Sequence, residues 1–238
     1  MTHPRRVLLK ISGEAFSSAD APLCQNRLAD IVADIREAHA KGIQIAIVVG
    51  GGNFLRGATT KGVKRITADH MAMLATIING LALRDALDQI ELPVKLYSAI
   101  EVAGIAARFD YAKAISALQS GKVVILVAGT GNPFVTTDSG ASLRAVEIDA
   151  DVILKATKVD GVYNKDPRQH SDATLYSSIS FDEVLRQELE VMDLAAFCQC
   201  RDYHIDIQVF NLFKKGALLN ALLGGREGTL VSNQENKA

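Results

Sequence analysis

The chain has 238 residues, of which 48% are hydrophobic and 22% charged, and its formal net charge is −1. This balance excludes a disordered chain and a strongly basic binder of nucleic acid or anionic membrane, and the length suits one large α/β domain or two small ones. Any anion it binds must be held by positive charge gathered locally.

The first residues, MTHPRR, lack the apolar core of a secretory signal, and no apolar run is expected to approach the length of a membrane span. Arg5 to Ser12 (RRVLLKIS) reads as a first strand, with Val7, Leu8, Leu9 and Ile11 suited to burial on both faces. Lys10 sits among them. A lysine at the carboxyl end of a buried strand either reaches solvent at the sheet rim or faces the crevice where open parallel sheets take their ligands. Ser17 to Gln25 is a polar, irregular loop.

Asn26 to Lys41 is an amphipathic helix, with Leu28, Ile31, Val32, Ile35 and Ala38 on one stripe and Gly42 as its stop. Ile43 to Val49 forms a second strand that ends in Gly50-Gly51-Gly52-Asn53. Three successive glycines suggest close approach to a ligand. Arg56 follows, placed either to clamp a phosphate or to stand as a solvated loop charge.

Thr67 to Glu91 is a long helical stretch whose apolar residues surround the axis, so more than one face needs burial, one of them against another subunit. Asp69 near its start either compensates the helix dipole or accepts hydrogen bonds from a pair of sugar hydroxyls. None of the five histidines has ligand spacing to another, so a metal site built by protein alone is not expected. A short strand at Pro93 to Tyr97 and a helix at Tyr111 to Gln119 follow.

The stretch Val123 to Ser142 (VVILVAGTGNPFVTTDSGAS) is the one around which the rest is organised. A buried strand breaks into Gly129-Thr130-Gly131-Asn132-Pro133 and, after Thr136-Thr137-Asp138-Ser139, turns helical. Strand, small-residue loop and helix N-terminus in that order make either an ordinary βα turn or an anion cradle. Asp151 to Lys155 (DVILK) then repeats the first strand's habit of an apolar run ending in lysine. Asp138 is either a helix N-cap or the carboxylate that holds both ammonium groups.

Asp160-Gly161 and Asp166-Pro167 mark turns, and Tyr163 is a base-stacking face or plain core. Helices at Phe181 to Leu189 and Met192 to Tyr203, a strand at Ile205 to Phe210, a helix at Lys215 to Leu223 and a strand at Thr229 to Ser232 complete the chain. No linker or repeat divides it. Cys24, Cys198 and Cys200 form no CxxC pair, which suits a reducing, cytoplasmic setting.

Five segments together carry a family resemblance: KISGE (Lys10 to Glu14), GGGNFLRG (Gly50 to Gly57), DHMAMLATIINGLALRDAL (Asp69 to Leu87), GTGNPFVTTDS (Gly129 to Ser139) and KATKVDGVY (Lys155 to Tyr163). In this order, and over nearly the whole chain, they resemble the bacterial uridylate kinases, a branch of the amino acid kinase superfamily. The lysine and glycine elements are common to the superfamily, whereas DHMAMLAT and GTGNPFVTTDS mark the branch.

The resemblance implies an α/β fold, a three-layer α/β/α sandwich around a mostly parallel central sheet, in a homohexameric, allosteric nucleoside monophosphate kinase of pyrimidine nucleotide biosynthesis. It implies transfer of the γ-phosphoryl group of ATP to UMP, assisted by Mg²⁺ held mainly through ATP. Matched position by position, Lys10, Ile11, Ser12, Gly13, Gly52 and Arg56 would line the ATP phosphates, with Thr157, Tyr163 and Asp166 facing the nucleoside. Gly51, Asp69 and the run Thr130, Gly131, Asn132, Pro133, Phe134, Val135, Thr136 and Thr137 would hold UMP. Lys10, Asp138 and Lys155 resemble the transfer-site charges. A single domain would then divide into residues 1–150, mainly UMP site and oligomer interface, and 151–238, mainly ATP site.

The chemistry of phosphoryl transfer suits these residues, because it needs in-line positioning and cationic stabilisation rather than covalent help. The absence of GxxxxGK[ST] excludes a P-loop kinase. The chain departs from the family pattern at Ser17 to Leu23, which lacks the glycine-containing effector segment, and at Asp88 and Gln89, where many relatives carry basic residues; both departures bear on GTP activation. A non-catalytic nucleotide-binding regulator and a sister kinase for another small acid are the alternative readings. Retention of both lysines and Asp138 favours the enzyme, and GTGNPFVTTDS favours UMP.

Overall fold

The computed structural model describes residues 6–55, 62–167, 169–189 and 191–233. The strands are β1 (Arg6–Ile11), β2 (Gln44–Val49), β3 (Val94–Ser98), β4 (Ala107–Arg108), β5 (Val123–Val127), β6 (Val152–Thr157), β7 (Ser178–Ser180), β8 (Asp206–Asn211) and β9 (Thr229–Ser232). They form one nine-stranded sheet among the described residues, in the order β4-β3-β5-β2-β1-β6-β8-β9-β7. All neighbours run parallel except β8 and β9.

Alternation along β1 shows why helices cover both faces. Val7, Leu9 and Ile11 enter one core with helices α1 (Gln25–Ala40), α2 (Arg65–Gln89) and α7 (Ala217–Leu222). Leu8 enters the opposite core, with α3 (Tyr111–Gln119), α4 (Thr137–Glu147), α5 (Phe181–Arg186) and α6 (Leu194–Asp202). Each fully buried aliphatic side chain contributes roughly 1.5–3 kcal/mol of transfer free energy, so the strands are held from above and below. The expected three-layer α/β/α sandwich is therefore the fold that forms.

From β1 the chain winds outward through β2, and later returns to the other side of β1 as β6. Such a reversal opens a crevice at the carboxyl ends of the strands. A short 3-10 turn (Gly13–Phe16) follows β1 there, and Lys10 near the end of β1 meets Asp138 in the first turn of α4.

Elements read from the sequence form within three residues of their expected limits at either end, although Arg5, the expected start of the first strand, lies outside the described residues. The strands β4 and β7, two and three residues long, are too short to show a periodic signal. The expectation that no apolar run approaches a membrane span is corrected by α2, with 25 residues and a mean hydropathy of 1.3 over its most apolar window. Half of that window is buried, and Gly80 lets the helix lie flush on the sheet, since a Cβ there would come 2.3 Å from Val127 Cγ1. Met71, Leu74 and Ile78 on its other side stay exposed.

Candidate functional site

Lys10 and Lys155 are register partners on adjacent strands β1 and β6, on the sheet face that Leu8 and Ile153 bury beneath α4. The apolar layer ends where α4 begins, and the two lysines meet its first turn. The N-cap is Thr136, whose hydroxyl accepts from the N–H groups of Asp138 (3.1 Å) and Ser139 (3.3 Å). The N-cap reading of Asp138 is thereby replaced: with the cap supplied next door, the Asp138 carboxylate turns to the sheet. Its Oδ1 lies 2.8 Å from Lys10 Nζ and its Oδ2 accepts from Lys155 Nζ at 2.7 Å.

Burial alone would raise the Asp138 carboxyl, but the Lys10 and Lys155 ammonium groups outweigh it and hold the group below the ordinary carboxylate value. Lys155 is also held below the ordinary lysine value, because burial, together with the like charge of Lys10, outweighs the pull of Asp138. Lys155 also donates to Val191 O. Asp193 caps α6 through Ala196 N (3.0 Å) and accepts from Ser139 Oγ (2.8 Å) and Thr136 Oγ1, joining the starts of α4 and α6.

A cleft of about 410 Å³ opens in front of this cluster, walled by the loops that follow β1, β2 and β5. The helix α2 ties these loops together with polar side chains on one face. Asn79 Nδ2 donates to Gly50 O (2.7 Å) and to Asn53 Oδ1 (2.8 Å). Thr76 Oγ1 accepts from Ala128 N at 2.7 Å. Asp69 accepts from Phe134 N (2.8 Å) and from Arg65 Nε (2.9 Å). The third loop needs this anchorage because Ala128, Gly129, Gly131 and Phe134 all hold positive φ, which costs free energy at the two non-glycine positions.

A cleft lined by strand-end backbone, with Lys10 and Asp138 on its floor and Lys155 behind them against Asp138, can hold anionic groups and stabilise charge that moves between them. The family model described as the amino acid kinase family matches residues 5–211. The chain belongs to the amino acid kinase family. It is 55% identical over 230 residues to the uridylate kinase of Coxiella burnetii, covering 95% of each chain, and 52% identical over 234 residues to that of Colwellia psychrerythraea, covering 97% of this chain and 95% of the relative. Its fold superposes on the crystal structure of UMP kinase from Bacillus anthracis with a TM-score of 0.94, 36% identity and 98% of each chain covered.

Within this amino acid kinase framework, Lys10, Ser12, Gly13, Gly51, Gly52, Asp69, Thr130, Asn132, Val135, Thr136, Thr137 and Asp138 line the one cleft. Ile11 points into the core, so only its backbone could serve a ligand. Gly131 packs against Ala99, and Phe134 is exposed beside the Arg65 guanidinium, 5.7 Å from its ring centre. Pro133 is not among the lining residues. Thr157, the last residue of β6, and Tyr163 and Asp166 beyond it are not among the residues lining this cleft; the Tyr163 hydroxyl is 3.5 Å from Asp160 Oδ2. Arg56 lies outside the described residues.

Gly51 and Gly13 also have a local reason within the protein itself. A Cβ on Gly51 would come 2.8 Å from Ala72 O, and one on Gly13 would come 2.4 Å from Asn53 Oδ1. Close approach to the protein's own helix and loops accounts for both.

Sequence reading passed over Glu14, Arg65, Thr76, Asn79 and Asp193. The spacing of Arg65 and Asp69 is the i,i+4 signal of a helical pair, and an Asp ahead of an apolar run marks a cap at Asp193. Thr76 and Asn79, seven and ten residues after Asp69, form a polar stripe on an otherwise apolar helix.

Proposed function

We infer that the chain catalyses transfer of the γ-phosphoryl group of ATP to UMP, giving UDP and ADP, as a nucleoside monophosphate kinase. The observation that carries this reading is the pairing of Lys10 and Lys155 across one carboxylate, Asp138, with Lys10 and Asp138 lining a cleft walled by glycine-rich loops. The names and high identity of the uridylate kinase relatives support the same activity.

In the proposed arrangement UMP occupies the side of the cleft bounded by Gly51, Asp69 and Thr130 to Thr137. ATP enters from the side of Ser12, Gly13 and Gly52, with its nucleoside towards Thr157, Tyr163 and Asp166. The phosphates then meet above Lys10 and Lys155, which neutralise charge spread over the transferring group while the loops hold the attacking and leaving oxygens in line. Asp138 keeps the two like charges together and fixes their direction.

Among the described residues no cluster of three His, Cys, Asp or Glu could hold a metal ion. Asp138 Oδ1 is buried with no well-directed hydrogen bond despite the nearness of Lys10, so Asp138 fits as the protein's share in holding a Mg²⁺ carried mainly by ATP. When bound, Mg²⁺ would neutralise charge on the phosphate oxygens.

We further propose a homo-oligomer, a hexamer as in the resembling branch, built partly on the exposed apolar face of α2. The free thiols of Cys24, Cys198 and Cys200 support a cytoplasmic setting and a place in pyrimidine nucleotide supply. A coupled assay of nucleoside diphosphate formation, run over UMP, CMP, AMP and GMP with and without GTP, tests the reading. It predicts turnover of UMP above the others. Absence of UDP formation, with nucleotide binding intact, would favour a non-catalytic regulator.

A further inference from the structure

Asn79 lies at the middle of α2 and is fully buried, 0% exposed. The helix continues to Leu83 and Leu87, which pack into the core as hydrocarbon, so packing gives no reason for a carboxamide here. An unpaired one would be strongly unfavourable.

Every polar atom of Asn79 is used, and each partner belongs to the loop after β2. Nδ2 donates to Gly50 O (2.7 Å) and Asn53 Oδ1 (2.8 Å), while Oδ1 accepts from Asn53 Nδ2 (2.9 Å). Asn53 Nδ2 also donates to Pro22 O at 2.7 Å, bringing in the loop ahead of α1. The glycine run is thus gripped at Gly50 and at Asn53, the residue that follows it. In a trans peptide the C=O and N–H point opposite ways, so fixing Gly50 O on Asn79 turns the Gly51 N–H away from it. The N–H groups of Gly51 and Gly52 donate to no described residue, and both residues line the cleft.

We propose that Asn79 is a positioning residue for phosphoryl transfer: from inside α2, through Gly50 and Asn53, it sets the orientation of the Gly51 and Gly52 amides that receive phosphate. The proposal rests on the kinase reading above and adds to it a residue that touches neither nucleotide. Asn79 and Asn53 act as one unit.

The test compares the full-length wild type with Asn79→Ala, Asn53→Ala and the double variant. It measures kcat, KM for UMP and ATP, UMP Kd by titration, and melting temperature. Displaced amides should lower kcat of Asn79→Ala roughly 10–10²-fold, with a smaller loss of UMP affinity through Gly51, because small misplacements act most on the transition state. The double variant should lose no more than Asn79→Ala alone. A folded Asn79→Ala with wild-type kcat, whatever its melting temperature, overturns the proposal, as do losses that multiply in the double variant. If Asn79→Ala does not fold, Asn53→Ala decides: kcat down about fivefold, the factor one neutral hydrogen bond corresponds to, supports it, and unchanged kcat overturns it. A wild type that makes no UDP overturns the kinase reading, and this proposal with it.

Discussion

The Asp69 carboxylate accepts the Phe134 N–H at 2.8 Å, so the first turns of α2 hold the loop that follows β5. Burial alone would raise the Asp69 carboxyl, but the Phe134 amide and Arg65 guanidinium outweigh it and keep the group below the ordinary carboxylate value. Asp69 is therefore ionised at neutral pH and retains lone pairs for a ribose. Asp69→Asn keeps an acceptor for Phe134 but loses the charge. UMP binding should weaken by about 1.5–3 kcal/mol, the range for a hydrogen bond to a charged group, while ATP affinity barely changes. Calorimetric titration of each nucleotide checks this; equal losses would make Asp69 purely structural.

Asp138→Asn should destabilise the fold by about 3–5 kcal/mol at neutral pH, because it leaves two half-buried ammonium groups without a counter-charge. The sign of the pH dependence follows from the lowered carboxyl. The unfolded chain protonates this residue first as pH falls, so its stabilising contribution is complete above the ordinary 3.8 and is lost as pH drops through the lower folded value. Denaturant midpoints on either side of that pH should show a smaller acid loss in the variant. An equal loss in both proteins would show that Asp138 carries no such linkage.

The β-branched runs of β1, β2, β5 and β6 made the central strands legible, and lysines at two strand ends pointed to the site. Their exact register did not show: that Lys10 and Lys155 share one rung depends on β6 returning beside β1, a non-local pairing. The glycine run was legible as a close approach to a ligand, but the crowding of Gly51 by Ala72 and of Gly13 by Asn53 was not, since it arises only once α2 docks. Thr76 and Asn79 were hidden by the apolar residues around them, and β4 and β7 are too short for any period to emerge.

The outer face of α2 should join subunits. Leu74 is 52% exposed and Ile78 44% exposed, so neither supports the single chain's core. Leu74→Asp or Ile78→Lys should leave the melting of the isolated chain nearly unchanged and break the oligomer, because a charge would be buried unpaired between copies. Light scattering reads the mass directly; a wild-type monomer at micromolar concentration would contradict this.

Turnover in Lys10→Met tests the central claim, that the paired lysines act on the transferring phosphoryl group. An ammonium fixed there stabilises charge that develops during transfer more than either bound nucleotide. By analogy with loss of one preorganised donor, kcat should fall roughly 10²–10³-fold, about 2.7–4 kcal/mol, with UMP Kd nearly unchanged. Lys155→Met should behave alike, and the double variant should lose less than the sum. The decisive measurement is kcat of Lys10→Met with UMP Kd on the same protein. A large loss of turnover at constant affinity is the predicted result, and turnover within a few-fold of wild type would contradict it.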